Sequence, residues 1–154
     1  MKATLKTLLG ALAAFARCRL VAWAEFGPGY DVPGLTAAAS LNNHQYGVVR
    51  ISAANKVNIA SEVNVAGPTK TAFGVLQNKP YVDEPAAVRV FGLSKVIAGG
   101  TITNGAYVSY NSSGHVIDAV SGDVTIGRAL EAATTALEYA TVLLMPPVRA
   151  GSVV

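Results

Sequence analysis

Apolar residues recur along this chain with two different periods, and the changeover falls near residue 45. Over residues 2–24, Leu5, Leu8, Leu9, Leu12, Phe15 and Ala16 return at close to helical spacing, with Lys2, Lys6, Arg17 and Arg19 around them. That period predicts an amphipathic helix. The same stretch carries parts of a secretory signal: two lysines, an apolar run from Leu8 to Ala16, and Ala22-Trp23-Ala24 as a small-x-small cleavage site. Arg17 and Arg19 stand between the run and that site and weaken the signal reading. They also cut the run short of the ~20 residues a bilayer requires, so no membrane span is expected.

From Gly27 to Leu41 neither period holds. Gly27-Pro28-Gly29 and Val32-Pro33-Gly34 are turn formers, and Leu35 to Leu41 has room for a short helix at most, which predicts an extended connector. From Tyr46 onward strict alternation takes over. In Ala87 to Phe91, Val88 and Val90 point one way and Arg89 the other, as a half-buried strand requires. Gly67-Pro68, Lys79-Pro80, Glu84-Pro85, Gly99-Gly100 and Asn104-Gly105 punctuate the rest at intervals suited to short strands. Those gaps hold no crossover helices, which excludes a parallel βαβ sheet.

The strand pattern occurs twice. Tyr46 to Ser52, a polar turn at Asn55 and Lys56 to Ala60 match Gly105 to Tyr110, a turn through Asn111-Ser112-Ser113-Gly114 and His115 to Ala119. Phe73-Gly74-Val75-Leu76-Gln77-Asn78 then stands where Ile126-Gly127-Arg128-Ala129-Leu130-Glu131 stands later, and Ala87 to Phe91 stands where Tyr139 to Met145 does. Two copies of one pattern suggest two related halves around a shared core. Gly114 is expected to take the positive φ that closes a short hairpin loop. Pro146-Pro147 cannot donate ladder hydrogen bonds and is expected to end the last strand. The Ala-rich run from Ala129 to Leu137 fits either a helical turn or a loop.

A chain of 154 residues has the size of one ordinary domain. Its residues are 51% hydrophobic and only 14% charged, against roughly a quarter charged in a typical soluble domain. So little charge leaves apolar surface for partners. The net charge of +3 comes from scattered Lys and Arg, without the basic stripe that nucleic-acid binding needs. The lone Cys18 has no partner for an internal disulfide and reads as a small hydrophobe.

Candidate chemistry is sparse. His44 and His115 fall in turn positions without an acid nearby in sequence, and they read as surface residues rather than catalytic bases. Asp83-Glu84 before Pro85 reads as a solvated turn, and Asp118 with Asp123 lacks the further oxygen ligands of a cation loop. No nucleophile elbow or phosphate loop is present. Tyr107 and Tyr110, three apart in a strand, face opposite ways, so one belongs to the core and one to the surface. With 7% aromatic residues, a platform of rings on one face is not expected.

The order of Phe73-Gly74-Val75-Leu76-Gln77-Asn78, Val88-Arg89-Val90-Phe91-Gly92, Gly99-Gly100-Thr101-Ile102-Thr103-Asn104-Gly105-Ala106-Tyr107-Val108, Ser112-Ser113-Gly114-His115-Val116 and Ile126 to Ala133 resembles the head decoration, or capsid cement, proteins of tailed bacteriophages. The resemblance covers roughly residues 45–147, and the longer, more apolar front is a departure from it. It implies a small β-rich protein that sits as a homotrimer on the outside of a capsid and binds the major capsid protein, made in the host cytoplasm. It also implies that Ala129 to Leu137 is a strand passing into a loop.

The resulting expectation is an all-β fold, a small sandwich or barrel-like domain of two pseudo-repeated halves with an N-terminal helical or extended arm. Residues 1–44 form the arm, 45–147 the β-domain and 148–154 a C-terminal tail. The arm residues Leu5, Leu8, Leu9, Leu12, Phe15, Leu20 and Trp23 are the expected inter-subunit or capsid contacts. No catalytic, cofactor or metal residues are expected, and no nucleic acid, membrane or small-molecule substrate. The rival reading is a secreted or surface β-domain that binds a glycan or a protein.

Overall fold

The computed structural model describes residues 29–61 and 72–149. The arm residues Leu5, Leu8, Leu9, Leu12, Phe15, Leu20 and Trp23, together with Cys18, lie outside the described residues. Within them the fold is all-β, as the alternating pattern predicts. The strands are β1 (Gly29–Val32), β2 (Thr36–Ala37), β3 (Val48–Ala53), β4 (Lys56–Ile59), β5 (Ala72–Leu76), β6 (Val88–Ile97), β7 (Tyr107–Tyr110), β8 (Val116–Asp118), β9 (Val124–Ala129) and β10 (Tyr139–Arg149).

They form one ten-stranded sheet in the order β2-β4-β3-β5-β6-β10-β9-β7-β8, with β1 added on β6. The sheet is open rather than closed into a barrel, because the path ends at β2 and β8 without joining them. Its order is palindromic about the β6–β10 seam: β4-β3-β5-β6 on one side mirrors β8-β7-β9-β10 on the other. This is the duplication seen in the sequence. It extends to single residues, since Gly74 pairs with Val49 and Gly127 pairs with Val108 at matching places. A Cβ on either glycine would collide with the neighbouring strand, at the carbonyl oxygen of Arg89 or of Leu143.

The halves share one core. Val48, Val75 and Val96 from the first meet Val108, Tyr110, Val142 and Leu144 from the second in a single buried cluster. Each such side chain contributes about 1.5–3 kcal/mol when fully buried. A second cluster covers another face of the first half, where Leu35, Ala37 and Leu41 lie on Val49, Val57, Leu76 and Val88. The segment read as an extended connector is therefore part of the folded body, and the described strands Gly29–Val32 and Thr36–Ala37 lie ahead of residue 45. The physical reason is that its backbone is satisfied as well as its side chains. Ala37 N donates to Glu84 O (3.0 Å), Ala38 N to Val57 O (2.8 Å) and Leu41 N to Pro80 O (2.9 Å). In place of a short helix over Leu35 to Leu41, β2 runs parallel to β4.

Two turn expectations have different outcomes. Gly114 has φ of 73°, and the Asn111 carboxamide oxygen accepts from Ser113 N (2.9 Å) and His115 N (3.1 Å), closing the hairpin as predicted. The proline pair does not end the last strand: β10 runs through Pro146-Pro147 to Arg149, into the stretch read as a tail. What ends is its ladder with β6, whose last pair is Leu144 with Gly92, while β9 keeps Val148 and Arg149 after a register shift. The prolines lack donors for β6, and β1 occupies that edge of β6 instead, from Val88 to Gly92. Residues 130–138 form a loop with an isolated bridge from Ala133 to Ile102, as the family resemblance implied.

Candidate functional site

The titratable residues singled out in the sequence hold turns together. The Asp83 carboxylate accepts from the Lys56 ammonium, and the Glu84 carboxylate accepts from Tyr81 N (2.8 Å). Asp118 accepts from Thr103 N and Asp123 from Val120 N, each at 3.0 Å. Among the described residues no group of three or more His, Cys, Asp or Glu could hold a metal ion. His115 is pulled below its ordinary value of 6.5, first by burial and then by the charge of His44. The structure thus brings the two histidines near each other, which their separation in sequence gave no sign of.

The exposed apolar surface is more informative. Along β10, Ala140, Val142 and Leu144 point into the shared core, so Tyr139, Thr141, Leu143 and Met145 point away from it. Cross-strand pairing continues this outer face across four strands: Tyr107 opposes Arg128, Arg128 opposes Leu143, and Leu143 opposes Leu93. Tyr107 is 51% exposed and Tyr139 58%. Arg128 stacks over the Tyr107 ring at 5.6 Å while its Nε donates to Gly105 O (2.7 Å). At the other end the Lys95 ammonium lies 5.6 Å from the Tyr46 ring and 5.4 Å from the Tyr139 ring, and the two rings meet edge to face at 5.8 Å.

Tyr46 reaches that place through a left-handed backbone, with φ of 66°. A bulky residue there costs of order 1–3 kcal/mol. Hydrogen bonds on both sides hold it, from Tyr46 N to Leu76 O (2.7 Å) and from Ile97 N to Tyr46 O (3.3 Å). Ordered rings and cations on an exposed sheet are suited to protein contact, since tyrosine and arginine supply large area and polar handles together. Among the described residues nothing lies over this face in the way that Leu35 to Leu41 lies over the first half.

A second exposed pair sits at the seam between β1 and β6. Tyr30 and Phe91 are register partners, 61% and 55% exposed. Beside them the Arg89 guanidinium donates twice to the Asp31 carboxylate, from Nε (2.7 Å) and Nη2 (3.2 Å). An open groove of about 440 Å3 follows under the turn after β1, lined by Pro33, Gly34, Asn78 and Pro85 among others.

None of the arm residues expected to make contacts falls within the described residues, so these surfaces are additional to them. Sequence reasoning separated Tyr107 from the buried Tyr110 correctly. It did not find that Tyr46, Tyr139 and Lys95 converge, because the 5.8 Å ring contact joins residues far apart in the chain. The one available signal was tyrosine standing at outward positions of otherwise aliphatic strands.

Comparison with known proteins adds the following. A family model described as phage cement protein matches residues 33–145. Among solved structures, the head fiber gp8.5 N base in bacteriophage phi29 superposes with a TM-score of 0.54 at 14% identity, over 80% of this chain and 99% of that one, a likeness of fold. No curated protein sequence matches.

Proposed function

This chain belongs to the phage cement protein family, a structural, capsid-associated component of the virion, and on that footing we propose that it binds the outside of a phage head and stabilises the coat-protein lattice. The observation that carries this reading, beside the family match, is the outer face of β6, β10, β9 and β7, with Tyr107, Arg128, Leu143, Lys95, Tyr139 and Tyr46. A face of that composition suits the shoulder between coat subunits. Its rings supply contact area at low entropic cost, and covering them removes apolar surface from water at roughly 25 cal/mol per Å2.

The mechanism is mechanical. Each copy spans neighbouring coat subunits, so that outward pressure from packaged DNA must break its contacts before the lattice opens. The arm residues Leu5, Leu8, Leu9, Leu12, Phe15, Leu20 and Trp23 bury against a neighbouring subunit, and the working unit is a homotrimer. No chemistry is required of it, and the Glu84, Asp118 and Asp123 carboxylates serve the backbone of turns and loops.

The test is add-back to heads that lack the protein. Tyr139→Ala and Tyr107→Ala truncate rings that are more than half exposed and that touch Tyr46, Lys95 and Arg128 on the same face rather than the core. Each is expected to leave the melting curve in place and to weaken retention on heads about tenfold or more, as truncated aromatic anchors do. Retention unchanged in both variants and in their combination would remove this face from the interface.

A further inference from the structure

We propose that β1 is an exchangeable strand, donated by each copy to β6 of a neighbouring copy of the same chain. The inference rests on the oligomer proposed above and names one of the contacts that would hold it together.

The acceptor exists because β10 leaves β6. After the pair Leu144 with Gly92, the edge of β6 from Val88 to Phe91 that faces away from β5 has lost β10, and Gly29–Val32 fills it. An open edge must be filled, since its donors and acceptors otherwise template unwanted pairing. What fills it is weakly anchored. Three of the four β1 residues are exposed, and only Val32, half-buried, packs against the second core, so β1 is held mainly by ladder hydrogen bonds, the Arg89–Asp31 ion pair and that one side chain.

The joint behind β1 permits an exchange. Val32 is followed by Pro33 and by Gly34 at φ of 79°, and Leu35 then enters the second core, so the strand can swing while Leu35 to Leu41 stays fixed. Exchange of an identical element between copies needs no new interface, because every contact made in trans is one already made in cis. Proximity supplies the rest. Copies joined at this seam would bring Tyr30 and Phe91, exposed together in one chain, beside the apolar surface of a second chain. An occupant of other chemistry would have to reproduce both the Asp31 carboxylate opposite Arg89 and a small residue at position 29, where an added Cβ would lie 2.9 Å from the Phe91 carbonyl oxygen as well as against the Arg89 side chain. A second copy does so by identity.

The experiment uses full-length chains in a Cys18→Ser background. Tyr30→Cys and Phe91→Cys change two exposed positions that face each other across the seam. Chains carrying one substitution each are mixed under conditions that allow exchange, then oxidised or bridged with a short bismaleimide. A link between them can form only in trans. The expected result is a covalent species at twice the 15.8 kDa of the chain, with the double variant giving linked multimers. A double variant that links only within itself, with no link in the mixture, overturns the donation. Sedimentation of the same samples separates the causes: an oligomer with internal links refutes the exchange alone, whereas a monomer refutes the oligomer and the exchange together.

Discussion

Gly74 and Gly127 show how much a single missing methyl group carries. Each lies where the next strand comes too close for any Cβ: one added to Gly74 would stand 2.5 Å from the Arg89 carbonyl oxygen, and one added to Gly127 would press on that of Leu143. Gly74→Ala and Gly127→Ala are each expected to cost about 1–3 kcal/mol through overpacking, read as a lower urea midpoint. Gly100→Ala, which has nothing within 4 Å, is the control and should stay close to wild type. His115 supplies the other residue-scale expectation. Burial and His44 hold its folded pKa below 6.5, so in the window just below 6.5 the unfolded chain binds more protons. Its contribution is intact above that window and is lost as pH falls through it. The melting temperature should drop between pH 7 and 5.5, and His115→Gln should flatten that drop. A drop as steep in the variant would assign it to other groups. Of these positions, Gly114 was legible in the sequence because a hairpin turn declares its own φ. The need for Gly74 was not, since the approach of a neighbouring strand is a fact about two segments.

Among the elements, the alternating strands were legible wherever one face meets a core and the other meets water, as in β6 and β10. Leu35 to Leu41 was not, for a physical reason: Pro33 and Gly34 say where the chain turns, not whether it turns back onto its own sheet. Its return to Val49 and Val88 follows from shape complementarity that no local pattern records. A measurable consequence follows from β1, β2 and Leu35 belonging to the folded body. Removing residues 1–28 is expected to leave the cooperative melt of the β-domain nearly unchanged while weakening its retention on heads severalfold. Removing residues 1–40 takes β1, β2, Leu35 and Ala37 with it. Losing one buried leucine already costs about 2–5 kcal/mol, so the longer deletion should lower the melting temperature steeply or abolish the transition. Equal melting of the two truncations would show that the second core contributes little.

For the molecule as a whole, the duplication could be read in advance because its punctuation repeats: a glycine in the third strand of each half, and a hairpin before it. The proposed contact surface was hidden, since it is assembled across the seam from Tyr46, Lys95, Tyr107 and Tyr139 of both halves. The seam itself is continuous only as far as Leu144, and there the proline pair has a further effect. Proteins crowded onto a lattice sit at very high local concentration, the condition under which free strand edges grow into fibrils. Neighbouring residues of a strand aim their N–H groups at opposite edges, so one of Pro146 and Pro147 leaves the edge of β10 beyond Leu144 short of a donor, and pairing there is weakened. In the proposed coat, where copies lie side by side, that stretch of edge is therefore a poor template for a neighbour's strand.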